Sequence, residues 1–134
     1  MRRAFPAVAL LAAAGCAPDN HPIRVYAPPP GTNQVLEGAI ASDPGHSLIV
    51  GDLNMAAGAE IPRHYHYGEE FIYVLGGSAT VSREGMPDVV LRPGEGLRIA
   101  PGMVHWGKAG PDGMRAVSSW VKDDSKPLRV PVPE

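Results

Sequence analysis

Apolar and polar residues alternate in short runs along most of the chain, and Gly or Pro closes nearly every run. Alternation at period two puts one set of side chains on each face of a strand. The pattern therefore predicts β-strands over 47–55 (SLIVGDLNM), 60–66, 69–75 (EEFIYVL), 78–83, 88–91, 97–100, 103–107 and 114–121. Gly76-Gly77 reads as a break between two of these strands, and 84–87 (EGMP) as a hairpin turn. Residues 23–26 (IRVY) allow a short edge strand. The tail, 127–134, holds Pro127, Pro131 and Pro133, so it is expected to lie along an edge without adding a full strand. From Thr32 onward no ten-residue window keeps helical period without a breaker.

Composition narrows this picture to an all-β domain. The 134 residues include 16 Gly and 15 Pro, too many breakers for a helical bundle or coiled coil. Hydrophobic residues make up 44% of the chain, too high a share for a disordered one. The length suits one domain. The formal charge of −2 and the lack of any basic run exclude a nucleic-acid footprint, so no nucleic-acid partner is expected.

The N-terminus has its own logic. Arg2 and Arg3 precede an apolar run over 4–14 (AFPAVALLAAA), too short to span a membrane but suited to a signal-peptide core. The run ends in Ala13-Ala14-Gly15-Cys16, and Cys16 is the only cysteine, which rules out an intrachain disulfide. These residues resemble the lipobox of bacterial lipoproteins, although Ala13 stands where that family more often has Leu. The resemblance implies lipid on Cys16, attachment to the periplasmic face of the cell envelope, and the outer membrane where the host has one. Cleavage at Ala12-Ala13-Ala14 as an ordinary secretory signal is the alternative. Arg2-Arg3-Ala4-Phe5 also resembles part of a twin-arginine signal. The organisation expected is a signal peptide over 1–15, a lipid-anchored proline-rich tether over 16–31, and a β-domain over 32–134.

Candidate chemistry lies in the histidines. His64 and His66 are two apart and so share a strand face; Glu70 has the same parity across a short turn. His105 follows Pro101-Gly102. Three imidazoles and a carboxylate can enclose a divalent transition metal and leave coordination positions open, and such a mixed N/O set suits Mn, Fe, Ni, Cu or Zn alike. Glu69 has the opposite parity and points away; His46, after a Pro-Gly turn, reads as a solvent-facing strand entry, and His21 sits in the tether.

The spacing of Gly58, His64, His66, Glu70 and Gly77 resembles the first cupin motif, G(x)5HxH(x)3E(x)6G, with every position met. Gly94, Gly102 and His105 keep register with the second motif, G(x)5PxG(x)2H(x)3N, but Pro101 is displaced by one and Ala109 replaces the Asn. The resemblance runs from about Val35 to Val121. It implies a double-stranded β-helix, or jelly-roll barrel, with a metal held by His64, His66, Glu70 and His105 in its mouth. It also implies a metal-dependent oxidoreductase, dioxygenase-like, acting on a small organic molecule; the N-terminal signal adds the expectation that the protein is exported. A metal-loaded cupin of the envelope that binds or senses a small ligand without turning it over is the alternative, and metal storage is a third. Met55, Ile72, Val74, Leu97, Ile99 and Trp106 are the expected pocket wall. No further acid or base stands out, since Glu60 and Glu95 read as surface residues, so the catalytic groups are left unassigned.

With Glu70 inward, Ile72 and Val74 face inward too, which turns Phe71, Tyr73 and Leu75 outward. A strand apolar on both faces is covered on both. The cover is expected to be residues 35–40 of the same chain or a second copy in a homodimer.

Overall fold

The computed structural model describes residues 28–134, all of it strands, turns and loops. The signal, Cys16, His21 and the strand considered at 23–26 lie outside the described residues. Eight strands follow in order: β1 (Gly31–Ala39), β2 (His46–Met55), β3 (Glu60–Tyr65), β4 (Glu70–Arg83), β5 (Val89–Leu91), β6 (Gly96–Ile99), β7 (His105–Asp123) and β8 (Val130–Pro131). All pairings are antiparallel.

Two long strands organise the fold. The C-terminal half of β7 lies between β2 and the first half of β4, which also pairs with β6. The N-terminal half of β7 lies between β3 and the second half of β4, which pairs with β5. Each long strand thus belongs to two lobes that face one another across the core. Hydrogen bonding does not close into a ring: β1 and β8 end the main path β1-β2-β7-β3-β8. The all-β jelly-roll expectation holds, as an open double sheet.

Two expected breaks turn out to be bends. Gly76-Gly77 lies inside β4, and 108–113 lies inside β7. At these places the strands change partners instead of ending: the β4–β7 register shifts on either side of Gly77, and β2 takes over from β3 as the other neighbour of β7 after Lys108. Pro111 falls in this gap, where its missing N–H interrupts no ladder. Gly77 and Gly113 meet at the corner with φ of 65° and 78°. A Cβ on Gly77 would stand 2.0 Å from the Gly113 carbonyl oxygen, so only glycine allows both the conformation and the approach.

The core between the lobes holds Ile49, Leu53, Val74, Val81, Leu91, Ile99, Met114 and Trp120. Trp120 fits because β2 has Gly51 beside it; a Cβ there would lie 2.7 Å from the indole ring. At the N-terminal end, packing reaches back to Pro28, which is buried and whose carbonyl accepts a 2.7 Å bond from Asn54. The tail behaves as expected, adding two residues of strand against β3.

One expectation fails. Residues 35–40 do not cover Phe71, Tyr73 and Leu75, which remain 48%, 50% and 47% exposed. The segment belongs to β1 and is hydrogen-bonded edgewise to β2 within the same sheet, so it cannot also lie across that sheet's face.

Candidate metal centre

β3 and β7 bring the two motifs together: His64 and His105 are direct cross-strand partners. His66 lies just past the end of β3, where its carbonyl accepts from the N–H of Gly102 at 2.8 Å. That bond ties the 101–102 turn before His105 to the first motif. Glu70 opens β4 opposite Trp120 of β7. All four side chains are buried, and one ligand atom from each lies within 4.8 Å of the others. Glu69 points away, as its parity predicts, and binds Arg98 at 2.8 Å, which holds its carboxyl below the ordinary range. His46 stands 3.1 Å from Asp43 at the entry of β2, far from the cluster in role and neighbours.

The backbone fixes the orientation of each imidazole. His64 Nδ1 donates to the Pro62 carbonyl at 2.7 Å, His66 Nδ1 to that of Leu128 at 2.5 Å, and His105 Nδ1 to that of Met103 at 2.9 Å. A carbonyl oxygen only accepts, so each Nδ1 carries a proton, and in its neutral form each ring turns a bare Nε2 inward. Glu70 Oε2 sits 3.1 Å from His66 Nε2 and 3.0 Å from His105 Nε2. Lone pairs thus converge on a carboxylate, an arrangement that requires a positive charge between them. A proton on one Nε2 meets this need, and so does a metal ion. Donor pairs about 3 Å apart also match neighbouring ligands on bonds of roughly 2.1 Å. The residues therefore fit a divalent metal.

Electrostatics agree. Burial pushes His64 down to about 4, with His105, Arg129 and His66 adding to the effect against the Pro62 bond. His64 is therefore neutral and ready to ligate at neutral pH. Burial alone would raise Glu70, but its contacts with His105, His66 and Ser118 hold it far below the carboxylate range. Ser118, fully buried, donates to Glu70 Oε1 at 2.5 Å. Trp120 Nε1 donates to His66 Nε2 at 3.2 Å.

A cavity of about 150 Å³ adjoins the cluster. Of the wall expected from the sequence, Ile72 and Trp106 line it, whereas Val74 and Ile99 are core residues and Met55 and Leu97 pack against the core. Leu53, Val81, Met114 and Trp120 also line it, and Thr32, Lys108 and Arg129 are exposed at its rim. Ala109, at the Asn position of the motif, lines the cavity as well. Sequence reasoning missed Ser118 and Trp120. Their shared parity on 114–121 was the available signal, but nothing local says that this face meets Glu70.

Among solved structures, DMSP lyase DddQ from Ruegeria pomeroyi matches with 27% identity and a TM-score of 0.56 over 69% of this chain. A conserved double-stranded β-helix protein from Klebsiella pneumoniae matches at 20% identity and 0.58 over 82% of this chain and 91% of its own. Oxalate decarboxylase from Bacillus subtilis matches at 20% and 0.55 over 66% of this chain. The chain spans 47% of the length of the lyase and 24% of that of the decarboxylase, and the two matches at 20% identity bear on the fold alone. No curated protein matches the chain. The Cupin_2 family, described as "Cupin domain", matches residues 51–120, a stretch that contains all four clustered residues and both long-strand crossings. With more than half its length matched to that family and the double sheet in place, the chain belongs to the cupins.

Proposed function

We propose that this chain holds a divalent transition metal on His64, His66, Glu70 and His105 and acts on a small organic molecule in the adjoining cavity. The convergence of three histidine Nε2 atoms on a buried carboxylate carries this reading. A bound ion would supply Lewis acidity toward an oxygen donor, and redox capacity if it is a metal such as Fe or Mn. The protein's own groups orient the ligands through Nδ1, hold Glu70 through Ser118, and exclude water with an apolar wall. Among the described residues lining the cavity, only Lys108 and Arg129 are ionisable besides the cluster itself, and both sit at the exposed rim.

Two reaction types are proposed. Oxygen-dependent oxidation, as in a dioxygenase, uses the coordination positions that four protein donors leave free. Redox-neutral bond cleavage finds support in the likeness to a DMSP lyase. A binder or sensor without turnover is the reading to be separated from both. Elemental analysis of the purified protein comes first: bound or readily acquired transition metal is expected, lost in His105→Ala and kept in His46→Ala. Loss of metal in His46→Ala alone would refute the ligand set. Turnover of a panel of phenols, diketones and carboxylates, with and without oxygen, then assigns the class. Ligand-dependent thermal shifts with no turnover would leave a binder.

The exported, lipid-anchored location is proposed from Ala13-Ala14-Gly15-Cys16. It predicts that Cys16→Ser moves the protein from the membrane to the soluble envelope fraction. A second copy of the chain is proposed to cover Phe71, Tyr73 and Leu75.

A further inference from the structure

The indole of Trp120 occupies an unusual position. The side chain is 5% exposed, and its Nε1–H donates to His66 Nε2, the atom assigned to the metal. His66 Nδ1 is already engaged with the Leu128 carbonyl, so Nε2 offers the ring's one lone pair. That lone pair cannot serve both the indole and a metal. With the site loaded, the Trp120 N–H loses its acceptor while its ring stays fixed in the core against Gly51. A buried N–H without a partner is costly.

The cavity says what can replace that acceptor. Its wall beside the cluster is apolar, with Leu53, Ile72, Val81 and Met114; besides the histidines, the two other acceptor side chains that line it are Thr32, which is exposed, and Glu70, which already faces Ser118, His66 and His105. With Glu70 engaged and Thr32 at the exposed side, a molecule bound in the cavity is placed to supply the acceptor. At about 150 Å³ the space matches a body of roughly benzene size. Resting on the metal-binding reading above, we propose that Trp120 is a ligand-binding residue, released from His66 when metal is present to donate its indole N–H to an oxygen of a compact, apolar-bodied carboxylate or enolate. Its specificity follows directly: one anionic oxygen head directed to the cluster and one hydrocarbon body directed to the wall.

The test uses zinc, which is diamagnetic, and benzoate as the probe, on protein carrying 15N in its indoles. The spectrum holds two indole signals, from Trp106 and Trp120, distinguished with Trp106→Phe. The Trp120 signal should shift on zinc addition and shift again, downfield, on benzoate addition. Trp120→Phe should bind zinc as tightly as the parent or more tightly, because a competing donor is gone. Its zinc-loaded form should bind benzoate about ten-fold or more weakly. A Trp120 signal that moves with zinc but not with benzoate overturns this inference and leaves the metal reading intact. So does a Trp120→Phe protein with unchanged benzoate affinity. Failure of the wild-type protein to bind zinc overturns both.

Discussion

Replacing Ser118 by Ala removes one oxygen atom from a position with no solvent access. Its effect can be worked from the geometry. Ser118 Oγ holds Glu70 Oε1 at 2.5 Å, while Oε2 faces two histidine Nε2 atoms at 3.0 and 3.1 Å. Oε1 therefore loses a donor it cannot replace from water. A hydrogen bond to a charged acceptor contributes about 1.5–3 kcal/mol, whereas the void left by one oxygen is small, so the lost bond dominates. For a domain of about 100 residues, ~2 kcal/mol corresponds to a fall in Tm of roughly 8 °C. The same bond fixes the plane of a metal-ligating carboxylate, and loss of such an orienting partner weakens metal affinity by about 10- to 100-fold. Differential scanning calorimetry of chelator-treated protein reads the first quantity and competitive zinc titration the second. Ser119→Ala, on the outward face of the same strand, serves as the control and should change stability by no more than about 0.5 kcal/mol. If Ser118→Ala leaves both Tm and zinc affinity at wild-type values, Glu70 is not held in the way described.

Other outcomes follow from the same structure. His64 is pushed down to about 4 by burial against an ordinary 6.5, so the unfolded chain takes up its proton first. The metal-free protein should therefore lose about 3 kcal/mol as pH falls from 6.5 to 4, with the depressed Glu70 adding to the loss below its ordinary 4.5; pH-dependent urea melts with chelator would show this, and a flat profile over that window would contradict it. Gly51→Ala places a methyl 2.7 Å from the Trp120 ring and should cost about 1–3 kcal/mol in thermal melts, whereas Gly38→Ala, with open space around it, should keep the wild-type Tm. Sedimentation at micromolar concentration should find a dimer that Phe71→Glu converts to monomer; a monomeric wild-type protein would rule out the second copy as the cover.

Much of the site was legible in the sequence because its ligands are close in the chain. His64, His66 and Glu70 share a parity that any strand converts into a shared face, and the turn before His105 is written in Pro101-Gly102. The outward direction of Glu69 followed from the same rule, and Arg98 then gave it a partner. Parity also told that Phe71, Tyr73 and Leu75 face away from Glu70. It could not tell what lies over them, because cover depends on which strand pairs with which edge.

Period-two patterning and breaker positions were enough to specify an all-β chain and the faces of its strands, since both are properties of neighbouring residues. Tertiary structure alone decided the rest. Gly76-Gly77 and 108–113 carry the residues of turns, yet they bend continuous strands because partners wait on both sides of each corner. The tautomers of the three histidines depend on carbonyls of Pro62, Met103 and, from the far end of the chain, Leu128. Ser118 and Trp120 reach Glu70 and His66 across separations of 48 and 54 residues. Contacts of that range are set by strand pairing, and no local pattern encodes them.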